Sequence, residues 1–144
     1  MDYKEYCKAY FVQPPPQGRF QFVGSFGATL LYEDYQEAIA FYERVLGPPS
    51  YVEGEFTRGW PVGTGWLTLL RGKEGNPRNV EITLELATPE QAEALQQAFI
   101  SAGAEGQRPS DQLMYRTIRA CPVIDPFGLE IMIIAHLKEY TDGS

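Results

Sequence analysis

From Val80 to Leu86 apolar and polar residues alternate without a break, with Val80, Ile82, Leu84 and Leu86 on one face and Glu81, Thr83 and Glu85 on the other. A period of two predicts a strand with one dry and one polar face. Directly after it, Thr88-Pro89-Glu90-Gln91 supplies a cap, a first-turn proline and a capping-box glutamine. Ala92, Leu95, Phe99 and Ala102 then recur at helical spacing until Gly103 ends the run. The same order occurs upstream. Ser25–Tyr32 is strand-like, Asp34 stands where a helix cap belongs, and Ala38, Ile39, Phe41, Tyr42, Val45 and Leu46 form a helical stripe before Gly47-Pro48-Pro49.

Two strand-then-helix units, each followed by strand-rich sequence, make an internal repeat of pattern. After the first helix, strands are expected at Tyr51–Phe56, Arg58–Val62 and Gly65–Arg71. After the second they are expected near Gln107, at Tyr115–Ile124 and at Leu129–Ala135, with Arg58–Gly65 and Arg108–Leu113 read as loop paths. Gly72–Arg78, containing Gly75-Asn76-Pro77, is the natural linker. The division expected is an N-terminal extension over residues 1–19, then one α+β domain over 20–144. That domain holds two βαβββ modules, about 20–72 and 79–136, each burying its helix on one sheet face and turning the other toward a shared cleft. The extension begins with Tyr3, Tyr6, Tyr10 and Phe11 among charges and is then broken by Pro14-Pro15-Pro16, which fixes an extended backbone; it is read as wrapping the surface.

A chain of 144 residues with 44% hydrophobic and 22% charged content belongs with ordinary globular proteins rather than disordered or membrane-spanning ones. Its formal charge of -7 opposes binding to phosphate backbones, so nucleic acid is excluded as a partner. Cys7 and Cys121 lie far apart with no zinc-like spacing to His136, which fits reduced, inert thiols. Met1–Gly18 has no apolar core of signal-peptide type, and a cytoplasmic location with no membrane partner is expected. No nucleophile elbow, phosphate loop or dinucleotide fingerprint occurs.

The first helix, Asp34-Tyr-Gln-Glu-Ala-Ile-Ala-Phe41-Tyr42-Glu-Arg-Val-Leu46-Gly47, resembles the corresponding helix of the glyoxalase/bleomycin resistance protein/dioxygenase group, the vicinal oxygen chelate superfamily. Asp125-Pro126-Phe127-Gly128 followed by Leu129–Ile133 resembles that group's closing turn and last strand. The resemblance spans about residues 22–136. It implies paired modules around a cleft, a two-fold dimer and, in metal-using members, His, Glu or Gln ligands on the inward faces of four strands. Aligned on the two helices and the closing turn, those positions are Gly27, about Thr68, Glu81 and Met132. Glycine donates nothing and a thioether suits a hard cation poorly, so no metal and no cofactor is expected.

Strand parity assigns Thr29, Leu31, Trp66, Thr68, Leu70, Glu81, Thr83, Glu85, Glu130, Met132 and Ile134 to the cleft. Ligand contacts are expected from Trp60, Trp66, Thr68, Glu81, Thr83, Glu85 and Met132. Trp60 and Trp66 are candidate stacking surfaces, or else filling for the sheet interface; aromatics beside acids suit a flat or cationic organic molecule. Glu81 and Glu85 share a face, and crowding them in a closed cleft would raise a carboxyl pKa; for Glu85 the favoured reading is a solvated strand face or an ion pair with Arg116 or Arg119. His136 shares the cleft parity or simply faces solvent. Three functions stay open. One is a metal-free protein that binds a small organic, cationic or aromatic ligand. Another is a metal-independent lyase or isomerase with Glu81 as general base. The last is a non-catalytic dimeric domain whose cleft is filled by its own 1–19 extension or by a neighbouring subunit.

Overall fold

A computed structural model describes residues 1–19 and 27–138 of the chain. Its elements are α1 (Tyr3–Tyr10), β1 (Ala28–Tyr32), α2 (Tyr35–Leu46), β2 (Tyr51–Glu53), β3 (Thr57–Val62), β4 (Gly65–Arg71), β5 (Glu81–Leu86), α3 (Pro89–Ser101), β6 (Glu105–Gly106), β7 (Ser110–Met114), β8 (Arg116–Ile124) and β9 (Glu130–His136). The first sheet runs β1-β4-β3-β2 and the second β5-β9-β8-β6, with β7 also on β8. In each, the strand preceding the helix lies parallel to the last strand of its module, β1 beside β4 and β5 beside β9. That repetition is the paired α+β architecture expected from the pattern.

Alternation sorts the strands as the sequence requires. Leu30, Tyr32, Leu67, Leu69, Leu84, Leu129, Ile131 and Ile133 are all buried with α2 and α3 in one core. The two helices meet there through Phe41 and Phe99, whose ring centres are 5.9 Å apart. Thr88 caps α3 by accepting from the Gln91 amide at 3.2 Å, and Gly103 leaves the helix at φ 119°, where a Cβ would be strained.

Within the N-terminal extension, Asp2 and Glu5 form a capping box that starts α1, a helix for which the pattern made no prediction. Four expectations are corrected. Asp34 stands at the N-cap of α2, but its side chain bonds none of the helix amides. Its carboxylate accepts instead from Asn76 Nδ2 at 2.9 Å, and its own amide donates to Asn76 Oδ1, tying the linker to the helix start. Residues 108–113 are not simply a loop, because Ser110–Met114 pairs antiparallel with β8. Tyr115 is not a strand residue; it turns the β7–β8 hairpin at φ 62°. Val80, assigned to the dry face, precedes β5 and is 45% exposed. Of the first strand, Ser25 and Phe26 lie outside the described residues.

The β6–β7 break is bridged from α3. Gln96, only 1% exposed, donates from Nε2 to the carbonyls of Gln107 at 2.6 Å and Pro122 at 3.1 Å. Its amide thereby gives the Gln107 carbonyl a donor and adds a second one to the Pro122 carbonyl, which already accepts from the Gln107 amide at 3.1 Å.

Candidate functional site

Both β1 and β5 are edge strands, and between them lies a cleft of about 480 Å³. Gly27 to Leu30 form one wall, Val80 to Leu84 the other, and Val62, Trp66 and Leu67 close it. Glu81 is the one charged side chain among these lining residues. A smaller adjoining space of about 330 Å³ adds Thr64, Gly65 and Thr68 beside Trp66. Of the expected site residues, Trp66, Glu81 and Thr83 therefore come together, with Thr68 next to them. Met132 is half-buried opposite Thr83 and is not among the lining residues.

Trp60 and Trp66 have opposite fates because they sit on opposite faces of one hairpin. Trp60 pairs with Leu67 and Pro61 with Trp66, so an even-numbered position on β3 points to the core and one on β4 points away. Trp60 is 3% exposed, its indole N–H donates to the Gly47 carbonyl at 2.8 Å, and its ring packs near Tyr42. It fills the core and is not a stacking surface. Trp66 is 46% exposed and meets Tyr51 edge to face, ring centres 6.3 Å apart.

What lets this aromatic pair form is Gly59. It lies against the Tyr51 Cβ and the Trp66 ring, and a Cβ there would stand 3.3 Å from Tyr51 Cβ and 3.4 Å from Trp66 Cε3. Tyr51 was missing from the expected site because a three-residue edge strand carries too little periodicity to reveal its facing. The hairpin register, Tyr51 opposite Gly59 and Gly59 opposite Thr68, is the signal that places it on the open face with Trp66.

The carboxylate pair does not form. Glu85 accepts from Arg116 at 2.7 Å, both side chains substantially exposed. Glu81 is exposed on the cleft wall. The two acids are therefore not crowded together in a closed space. Arg119 turns the other way, to Glu93 of α3 and Asp111 of β7.

The positions that would carry metal ligands do not fit a divalent cation. They offer one carboxylate at Glu81, one hydroxyl at Thr68, a thioether at Met132 and no side chain at Gly27. A Cβ on Gly27 would approach the Trp66 carbonyl oxygen to 3.1 Å, so β1 lies too close to β4 to carry a donor there without shifting. Among the described residues no group of three or more His, Cys, Asp or Glu is placed to hold a metal ion.

A buried polar cluster that no local sequence pattern reveals joins the modules. Asp125, 3% exposed, accepts from the Phe127 and Leu129 amides on Oδ1 at 2.9 and 2.8 Å. Its Oδ2 accepts from the hydroxyls of Tyr32 and Tyr42, each at 2.8 Å. Burial, then the Asp125 charge, raises the Tyr32 phenol pKa far above the usual value. Burial does the same to Tyr42, with Tyr32 and Asp125 adding to it. The closing turn of one module thus holds a strand and a helix of the other. No described helix is long and apolar enough to cross a membrane.

No protein-family model and no curated protein matches the chain. Solved structures do. A glyoxalase/bleomycin resistance protein from Albidiferax ferrireducens T118 superposes with TM-score 0.64 at 16% identity, over 77% of this chain and 97% of that one. Another from Catenulispora acidiphila DSM 44928 gives 0.63 at 20% identity, over 80% and 100%. A glyoxalase-related enzyme from Fulvimarina pelagi gives 0.62 at 19%, over 87% and 96%. At these identities the likeness is one of architecture: the chain has the fold of the glyoxalase/bleomycin resistance protein/dioxygenase structures.

Proposed function

We propose that this protein binds a small flat organic molecule, aromatic or cationic, between β1 and β5, without a metal of the kind that the fold's metal-using members hold. The observation that carries this is Trp66: a large aromatic surface left half-exposed on a cleft wall, propped by Tyr51 over a glycine. A ring stacked on the indole gains burial and, if cationic, attraction to the π face. Glu81 is the charged group on the same wall and orients a positive or hydrogen-bond-donating substituent. Thr68 and Thr83 supply neutral donors and acceptors. The donor set at Gly27, Thr68, Glu81 and Met132 supports the metal-free reading on coordination chemistry alone. Pairing of chains as a two-fold dimer belongs to the same reading and is measured by sedimentation.

Catalysis by Glu81 as a general base is not favoured, since among the described residues no second acid or base lines the cleft wall with it. The test is tryptophan fluorescence during titration with ethidium, methyl viologen and acridine orange. Trp66 answers to the cleft while Trp60 is shielded, so at least one of these ligands should give a saturable change that Trp66→Leu removes. No saturable response across the panel, or one unaltered by Trp66→Leu, refutes the proposal.

A further inference from the structure

The cleft walls offer backbone as well as side chains. Along a strand, the N–H and C=O of one residue leave toward one side and those of the next residue toward the other. On β1 the Tyr32 carbonyl accepts from the Gly72 amide, just past β4, at 2.8 Å. Tyr32 and Leu30 therefore turn their backbone to β4, and Thr29 and Leu31 turn theirs away. The Glu33 amide, next in the outward series, donates to the Gly75 carbonyl of the linker at 3.2 Å. Around β9 the Leu129 carbonyl accepts from the Asp125 amide at 2.9 Å, and the Leu137 amide donates to the Thr117 carbonyl at 2.7 Å. Odd-numbered residues of β9 thus turn to β8 and even-numbered ones to β5. In a parallel pair only one of two opposed residues turns to the partner strand. With Glu81 opposite Glu130 and Thr83 opposite Met132, Glu81 and Thr83 turn away from β9.

Thr29, Glu81 and Thr83 all line the cleft. Each brings an N–H and a C=O to the free edge of its strand, and among the described residues neither β1 nor β5 has a second neighbouring strand. Such an edge is a template of adjacent donors and acceptors. Thr29 stands on the wall nearer Trp66, since β1 pairs with β4. Just before β1 that wall is bare: Gly27 lines the cleft without a side chain, and a Cβ there would crowd the Trp66 carbonyl oxygen at 3.1 Å.

We propose that the cleft selects flat heterocycles with an in-plane amide edge, a ring N–H next to a ring carbonyl. The ring covers Trp66, its N–H donates to the Thr29 carbonyl, and its carbonyl accepts from the Thr29 amide. This rests on the reading of the cleft as a site for flat organic molecules and names the class of ring. A ring without such an edge still stacks on the indole, but it displaces water from the Thr29 groups without replacing the hydrogen bonds, which costs affinity. A lactam restores both bonds. Glu81 and Thr83, on the opposite wall, face the far rim of the ring.

Isothermal titration of 2-quinolone and of N-methyl-2-quinolone, the same ring with its amide edge blocked, tests this together with amide exchange at Thr29 followed by NMR. The lactam should bind about tenfold more tightly than its N-methyl form, the worth of two hydrogen bonds. At saturation it should slow exchange at Thr29 about tenfold, and the N-methyl form should not. Thr29→Pro removes the outward donor at an edge where no ladder bond is lost and should bring 2-quinolone down to the affinity of its N-methyl form. Equal affinities in wild type, no binding of 2-quinolone, or unchanged Thr29 exchange at saturation overturns the amide edge; ethidium binding that depends on Trp66 then leaves the stacking site standing. Ethidium and 2-quinolone both failing to bind overturns site and edge together. Should Thr29→Pro not fold, the wild-type measurements decide.

Discussion

Asp125→Ala is expected to be the most damaging single substitution in the chain. Four donors converge on that carboxylate, two backbone amides and two phenols, at 2.8–2.9 Å. The site is 3% exposed, so water cannot replace the lost acceptor without opening the core. Each buried donor left unpaired costs about 1–3 kcal/mol. The phenol oxygens lie 3.0 Å apart, so one hydroxyl can turn to the other and recover part of the loss. Removing the hub of a buried network then costs about 4 kcal/mol, within the range for breaking buried charged networks. For a chain of this length that corresponds to a fall in Tm of about 10–15 °C. Asp125→Asn keeps one acceptor for the amides and should lose about 1–2 kcal/mol. Tyr42→Phe should cost less in the Asp125→Ala background than alone, since its partner is already gone. Calorimetry and a double-mutant cycle measure all of this. A melting temperature for Asp125→Ala within about 2 °C of wild type would refute the reasoning.

The same phenols make stability pH-dependent. Because the folded protein raises the Tyr32 and Tyr42 pKa values above about 10 in the unfolded chain, their contribution is complete below pH 10. It is lost as pH climbs from there toward the folded values. Urea melts at pH 8 and 11 should show the loss, and Tyr32→Phe should reduce its slope; equal stability at both pH values would count against it. Gln96→Leu strips the Gln107 carbonyl of its side-chain donor and weakens the hold on Pro122. A lower urea midpoint at unchanged m, worth about 1–3 kcal/mol, is expected, and an unchanged midpoint would contradict the bridging role. Gly59→Ala pushes Tyr51 and Trp66 apart at contacts of 3.3 and 3.4 Å and should alter the near-ultraviolet dichroism of the tryptophans with little loss of stability. An identical spectrum would show that the glycine is not what seats the pair.

The modules were legible because alternation and helical spacing are enforced by burial. A one-residue slip of Glu81–Leu86 would turn Leu84 out of the core and Glu85 into it, and a change of face in Tyr35–Leu46 would expose Phe41 and Tyr42. Where packing decides between equals, the pattern gave no guidance. Trp60 and Trp66 look alike in sequence, and only the β3–β4 register sends one inward and the other outward. Asp125 was visible as a turn residue, but its grip on Tyr32 and Tyr42 joins positions far apart in the chain that no local spacing connects. Asp34 stands where a cap belongs, but Asn76, a linker residue, takes its carboxylate. The α1 helix was hidden by the proline run behind it, although Asp2 and Glu5 carried the capping-box spacing. Glu81 and Glu85 share a face in the pattern, yet Arg116 from the neighbouring hairpin takes one of them.

Recognition of an organic ring without a metal is tested most directly by isothermal titration of ethidium into protein dialysed against chelator, repeated after addition of one equivalent of zinc. Binding should be the same in both. It should weaken about tenfold in Trp66→Leu, the worth of a stacked or cation–π contact, and a few-fold in Glu81→Gln, whose exposed carboxylate is screened by solvent. Binding that appears only with zinc, or that ignores Trp66, would contradict it.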